Sequence, residues 1–497
     1  MLRGEDVDSL DPAIAYGVGA WSLIDATCAP LLRPAGAAGS ATDPALVPEV
    51  AAAQPRVSAG GTVYTFTVRP GFRFSDGTPV RASAFARAIH RTLAPGVPSP
   101  WRTYTGDIVG AGDVIAGRAR TARGVVAHGT TLVVRLKRPI PEFPYRTTAL
   151  CAVPPDLPAD REGIGAFPAA GPYYVAEYRP GDTAVLRRNP FYGGRRPQHV
   201  DGFTADLRAT SPDEVLDRVE RGESDWGFAL PEEYFDPGRR LAARYGVNRA
   251  RFFVTPGTTT FGFVLNTARP LFRDNPQLRQ AVNFAVDRAA IRRASGSELQ
   301  SALTDQYLPP GFPGFRDARV YPLTKPDLTR ARRLARGNTR SGKAVLFTVD
   351  SPPRLAAAQS LRRDLAKIGL DVEIVGIPRP AYFGRLGATG AYDIGFRPWV
   401  PDYADPFSVL NVNFDGSFVG SMNWGRFDDR VVNRALREAA ALRGAARLEA
   451  YAALDVRLAR DAAPMIAVEA LNDATLVSGR VGCVTQPFEL AAVCLRR

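Results

Sequence analysis

Residues 344–377 constrain the fold of this chain more than any other stretch. Ala344–Val349 reads as a strand. Leu355–Ile368 reads as a helix with Leu361, Leu365 and Ile368 inward, and Asp371–Ile377 as a returning strand after Gly369. Strand, helix and strand in that order form a parallel pair joined by a right-handed crossover. The chain is therefore expected to be α/β. Two further helices, Asp429–Leu442 and Arg447–Arg460, precede Met465–Glu469, which reads as a strand. With 497 residues and 45% hydrophobic content, the chain is too long for one core and should divide into two or three domains.

A second module spans Tyr64–Val80. Tyr64, Phe66 and Val68 alternate with Thr65 and Thr67, the period of a half-buried strand. Gly60-Gly61 before it and Asp76-Gly77 after it suit turns that need positive φ. A short second strand is expected between the turns, and a helix opens at Ala82. About two hundred residues later, Phe263–Asn266 reads as a strand that ends in Asn. Beyond it, Leu278, Ala281, Val282, Ala285, Val286 and Ala289 recur at the spacing of one apolar helical stripe.

Both stretches resemble hallmarks of the family 5 extracytoplasmic solute-binding proteins, the peptide-, nickel- and heme-binding receptors of ABC importers. The first matches the family signature except at Arg81, where the family usually has a helix-capping Thr. The second is similar to the family's strand ending in Asn followed by a helix reading RQA-x-N-x-A-x-D-R. Gly171–Tyr178 and Leu186–Tyr192 are similar to two further family strands, and the likeness covers nearly the whole chain after residue 9.

The resemblance implies a two-lobed periplasmic-binding-protein fold, of the α/β class with discontinuous lobes, plus a satellite α+β domain. Lobe I would take 1–40, 170–256 and 467–497. The satellite domain would be 41–169, and lobe II 257–466. The implied function is capture of peptides in an inter-lobe cleft by hinge closure, with delivery to the transmembrane subunits of an ABC permease. A receptor for a nickel chelate, heme, oligosaccharide or opine is the alternative on the same fold. A signalling solute-binding module or an enzyme is the alternative from another class. A monomer without a cofactor, outside the cytoplasm, is expected.

The resemblance also nominates a site. Tyr392–Phe396 reads as a strand running into a loop with Trp399, Asp402, Tyr403 and Asp405-Pro406, where Pro398, Pro401 and Pro406 prevent a helix. This loop is similar to the W-x-x-D-x-x-D/E-P motif of dipeptide and oligopeptide receptors. By position Asp402 would pair with a ligand ammonium, Trp399 would wall the side-chain pocket and Asp405-Pro406 would form a turn. A buried ammonium must be paired, because its desolvation costs several kcal/mol. Tyr403, Trp101, Tyr104, Thr258, Thr259 and Thr27 are further contact candidates by the same mapping. Arg354 and Arg379 are available for a ligand carboxylate, with no position assigned.

Other chemistry is poorly supported. Gly337–Lys343 spells GxxxxGK, but Ala344 replaces the Ser or Thr that holds Mg²⁺. A helix precedes the loop and a strand follows it, the reverse of a phosphate cradle. No HExxH, GxSxG or GxGxxG occurs. His90, His128 and His199 are the only histidines, and no CxxC is present, so metal-site spacing is lacking.

The formal charge is +13, and four lysines stand among 63 basic residues. The arginines are scattered, and the densest pairs (Arg187-Arg188, Arg195-Arg196, Arg239-Arg240) lie far apart. A nucleic-acid protein would concentrate them beside stacking aromatics, so no nucleic acid is expected as a partner. Attraction to an anionic envelope surface is a secondary expectation. Cys28, Cys151, Cys483 and Cys494 fit two disulfides in an exported protein. Cys483 with Cys494 would close a short loop, leaving Cys28 with Cys151; four free thiols are the alternative. No run of eighteen apolar residues is present. Met1–Pro12 has neither a signal-type apolar segment nor a lipidation cysteine, so the export signal is expected to be missing from this sequence.

Overall fold

The computed structural model describes residues 7–35, 45–209, 211–230, 234–486 and 488–496. Residues 1–6 of the N-terminal segment read above lie outside the described residues. The chain forms two compact units. The first comprises 1–229, 245–253 and 475–497, and the second 230–244 and 254–474.

In the first unit, Arg56–Ser58, Val63–Thr67, Thr131–Arg135 and Val125–His128 form an antiparallel sheet in that order. The alternation in Val63–Thr67 buries Tyr64 and Phe66, and the Tyr64 hydroxyl donates to the Ile140 carbonyl at 2.6 Å. Gly60, Gly61 and Gly77 have φ of 66°, 94° and 85°, as the turns require. The expected second strand is only a single bridge, Arg73 to Pro79, because the chain turns again within four residues. The helix Ala82–Leu93 follows. Arg81 stands at its N-cap and gives no side-chain capping bond.

That helix also anchors the N-terminal segment. Arg91 donates to both carboxylate oxygens of Asp11, at 2.8 and 2.5 Å, and both side chains are buried. Asp11 also accepts from the Ala13 and Ile164 amides. Gly163, at φ +81°, completes the packing: a Cβ there would stand 2.9 Å from Ser9 Oγ. A second buried ion pair joins Arg196 to Glu49 at 2.9 Å, and Arg196 also donates to the Asp25 and Cys28 carbonyls. Tyr192 donates to the same Glu49 oxygen, and burial pushes its phenol up to about 12.

Two large hydrophobic clusters and several smaller ones lie among the described residues of the first unit. One runs through residues 29–170, around Phe66, Phe85 and Leu132. The other joins Leu23, Tyr173 and Leu186 to Leu490 and Ala491 near the C-terminus. It rests on the antiparallel strands Tyr173–Arg179, Thr183–Arg188 and Gly202–Asp206. Disulfides join Cys28 to Cys151 and Cys483 to Cys494, in the pairing read from the sequence.

The second unit is organised by a six-stranded mixed sheet. Its order is Ser301–Leu303, Met465–Leu476, Phe252–Leu265, Ile394–Trp399, Lys343–Val349 and Asp371–Ile377. The last two pair in parallel across the helix Pro352–Ala366, as the βαβ reading requires. That helix starts three residues earlier than expected, because prolines are tolerated in a first turn. The apolar stripe from Leu278 to Ala289 is buried but does not lie on one helix. Pro276–Ala285 ends at an extended Val286. Arg288–Ser295 then restarts, with the Asp287 carboxylate accepting from the Ala290 amide at 2.8 Å. Asp, a helix N-cap residue, overrides the apolar periodicity here.

Asp455, on the helix Gly444–Arg457, is fully buried and holds the 306–308 segment. It accepts from the Tyr307 amide at 3.0 Å and from Gln306 Nε2 at 3.1 Å. Burial nevertheless pushes its carboxyl up to about 7. A raised acid binds more protons folded than unfolded. Its contribution is complete below the ordinary carboxylate range and is lost as pH rises through about 7. Denaturant melts at pH 4 to 8 should show stability falling with pH, and Asp455→Asn should flatten part of that slope. An unchanged slope in the variant would assign it to other groups. A second test concerns the disulfides, which close sequence separations of 123 and 11 residues. By chain entropy, Cys28→Ser with Cys151→Ser should cost about 5 kcal/mol and the C-terminal pair about 3 kcal/mol, read from denaturant midpoints.

Candidate functional site

The strand Ile394–Trp399 pairs antiparallel with Phe252–Leu265, placing Trp399 opposite Thr260. Thr259 and Thr258 therefore lie one and two residues beyond the paired register. Thr259 is buried and Thr258 half-buried. After Trp399 the chain bends through Pro401–Asp405, makes a short 3₁₀ turn at Pro406–Ser408 and enters the helix Leu410–Phe414. The loop is tied back on itself. Trp399 is buried, and its indole N–H donates to the Ser408 carbonyl at 2.8 Å. The Ser408 hydroxyl lies within hydrogen-bonding distance of the Tyr403 carbonyl at 2.8 Å and the Asp405 carbonyl at 2.9 Å.

The two carboxylates of the loop have different surroundings. Asp405 is buried, and one of its oxygens accepts from the Phe407 amide. Arg447 grips it with two bonds, Nε to Oδ2 at 2.9 Å and Nη2 to Oδ1 at 2.7 Å. Arg447 also donates to the Ala440 carbonyl, so a later helix fixes the loop. Asp402 sits in the bend and is half-buried, beside buried Tyr403. The structure thus brings Trp399, Asp402 and Tyr403 together in one fixed loop.

Arg397, on the same strand, is buried with its guanidinium 4.3 Å from the Trp399 ring centre and 3.8 Å from that of Trp424. Arg354 is buried 4.4 Å from the Phe261 and 4.6 Å from the Phe396 ring centres. Such stacking suits a guanidinium better than an ammonium. Arg379 is half-buried at the start of the helix Arg379–Thr389. Glu469 is fully buried, accepts from Ser297 and Ser301 hydroxyls at 2.6 and 2.5 Å, and is pushed up by burial.

The remaining candidates belong to the first unit. Trp101 and Tyr104 are buried. The Trp101 indole donates to the Ala15 carbonyl, and its ring meets Tyr16 and Trp21 edge-on at 5.7 and 5.4 Å. Arg146 lies 5.4 Å from the Tyr104 ring centre. Thr27 ends the helix Val18–Thr27, and its hydroxyl donates to the Ile24 carbonyl. Among the described residues no group of three or more His, Cys, Asp or Glu side chains is placed to hold a metal. Arg447 is invisible to sequence reasoning because it meets Asp405 across 42 residues. Ser408 and Arg397 make local contacts, but no residue pattern distinguishes them from other polar residues of the segment.

Residues 45–421 match the model for bacterial extracellular solute-binding proteins, family 5 (middle region). The chain belongs to this family. Family 5 is a family of substrate-binding transport proteins. The chain is 26% identical over 449 residues to the periplasmic oligopeptide-binding protein of Escherichia coli K12, covering 85% of this chain and 79% of that protein. It is 25% identical over 460 residues to a probable D,D-dipeptide-binding periplasmic protein of the same organism, covering 88% and 82%. Among solved structures, the clavulanic acid biosynthesis oligopeptide binding protein 2 superposes with a TM-score of 0.89 at 24% identity, covering 100% of this chain and 95% of that one. The fold is that of the two-lobed periplasmic binding proteins.

Removing Arg447 would leave the Asp405 carboxylate buried without its cation. Arg447→Met should cost about 3–5 kcal/mol of stability, read from thermal or denaturant unfolding. A loss below about 1 kcal/mol would show that the pair does not hold the loop.

Proposed function

We propose that this protein captures peptides outside the cytoplasm and passes them to the membrane-spanning subunits of an ABC importer. The observation that carries this reading is the loop at 399–408. Its Trp, its half-buried Asp and its Arg-clamped second Asp stand in the order used by peptide receptors of the family. The relatives named above are peptide-binding proteins by their own descriptions, which supports the same ligand class. In this reading Asp402 pairs with the peptide ammonium, while Trp399 and Tyr403 wall the first side chain. Trp101, Tyr104, Thr258, Thr259 and Thr27 are proposed as further ligand contacts. Main-chain hydrogen bonds meet the peptide backbone regardless of sequence, so the terminus is read strictly and the side chains loosely.

The division into lobe I, satellite 41–169 and lobe II is part of the proposal. It is supported within the first unit by a hydrophobic cluster made mostly of residues 50–152, to which Ala29, Leu31, Leu32 and Ala170 of lobe I also contribute. The protein acts as a monomeric binder in this reading and leaves its ligand chemically unchanged.

Titration calorimetry with a free-amino tripeptide tests the assignment. Asp402→Ala should weaken binding by about 2–5 kcal/mol. The N-acetylated tripeptide should bind wild type and variant alike. Equal affinity of both proteins for the free-amino peptide would remove Asp402 from the site. Native mass spectrometry of freshly purified protein should show a carried peptide mass, and a carried non-peptide would overturn the ligand class.

A further inference from the structure

The second unit carries a surface that peptide capture does not use. From Leu328 to Val349 the chain has six cationic side chains (Arg330, Arg332, Arg333, Arg336, Arg340 and Lys343) and no carboxylate. Scattered as the arginines are along the whole sequence, folding gathers these. The helix Leu328–Ala335 carries the first three, Arg336 and Arg340 follow it in the turn, and Lys343 begins the strand Lys343–Val349. All six are exposed. Arg330 is partly occupied, with its guanidinium 4.1 Å from the Phe284 ring centre.

The surroundings leave the charge largely uncompensated. Arg340 donates to the Arg273 carbonyl at 2.6 Å, which brings the exposed Arg273 alongside. Arg332 donates to the Lys367 carbonyl at 3.1 Å. Neutral carbonyls orient a guanidinium without cancelling its charge. Asp364 is committed to Lys367 at 2.7 Å and to the Asp287 amide. Asp274, Asp371 and Glu373 are exposed acids at the rim, Asp371 in register with Lys343 and Glu373 with Val345. A helix C-terminus attracts cations, which explains Arg332 and Arg333 in the last turn. It does not explain Arg336, Arg340 and Lys343 beyond it. No large apolar side chain between Phe191 and Phe383 is exposed among the described residues. The face thus has neither a wedge for a bilayer interior nor a ring for stacking a base.

We propose that this basic face docks on an anionic phospholipid surface, its guanidiniums pairing with lipid phosphates. The planar fork of arginine fits phosphate bidentately. Each basic residue near an anionic leaflet adds to the attraction, and salt screens it. Docking of this kind would hold the receptor near the membrane independently of what it carries.

Co-sedimentation of the full chain with vesicles tests this. The vesicles are phosphatidylcholine alone, or an equimolar mixture with phosphatidylglycerol. The protein should pellet with mixed vesicles only, and less as salt is raised. The variant Arg332→Glu, Arg333→Glu, Arg336→Glu should lose about tenfold or more of its partitioning. A charge-matched control, Arg120→Glu, Arg161→Glu, Arg187→Glu on exposed arginines of the first unit, should retain it. Circular dichroism checks folding, and if the reversal variant is unfolded the Gln triple at the same positions carries the comparison. Undiminished binding by the patch variant overturns the proposal. So does equal loss by the control, which would make net charge the cause. Tighter binding of a short DNA duplex than of mixed vesicles would assign the face to nucleic acid instead. Wild-type protein that ignores vesicles but is retained by a solubilised permease would assign it to a protein partner.

Discussion

A guanidinium taken out of water has five N–H groups to satisfy, and this protein meets that demand repeatedly. Arg91, Arg146, Arg196, Arg279, Arg288, Arg354, Arg397 and Arg447 are all buried. Most are bonded to carboxylates or to carbonyls of irregular segments. Arg288 donates to the Ala467 and Asn283 carbonyls and to the Asn283 side chain, tying a helix start to the strand Met465–Leu476. Arg279 does the same for the Ala462 and Phe272 carbonyls. Buried loop carbonyls need donors that no sheet or helix supplies, and arginine supplies several from one position. The long irregular stretches of this fold are therefore pinned rather than merely packed.

The loop proposed to bind ligand is an instance of that rule. A loop rich in proline already has few conformations to lose. The Trp399–Ser408 bond and the Asp405–Arg447 pair narrow them further. Ordering a side chain or loop on binding subtracts from affinity, so a loop ordered in advance keeps more of its interaction energy for the ligand. The division of labour between two aspartates three residues apart follows from burial. The buried one is neutralised internally by Arg447, whereas the half-buried one keeps part of its surface toward solvent.

Much of this was legible from residues alone. The parallel pair at 343–377, the hairpin with its positive-φ glycines and the family signatures each rest on local periodicity or turn chemistry, which a sequence carries in full. The break at Val286–Asp287 was hidden because six apolar residues kept helical spacing across it. The helical stripe survives the break in burial but not in geometry. The fasteners escaped altogether. Arg91 meets Asp11 across 80 residues and Arg447 meets Asp405 across 42, and an arginine in an arginine-rich sequence does not announce which of its copies is inside.

The first unit is assembled from three separated stretches of chain, and its core includes Leu490 and Ala491. Leu23, Tyr173 and Leu186 cannot be fully covered until that last stretch has been made. This cluster stays incomplete until synthesis ends, whereas the cluster of residues 29–170 needs no later segment and can close in order of emergence. Delayed closure exposes the apolar surface of the later cluster for longer. The last residues made thus decide when the first ones are shielded from water.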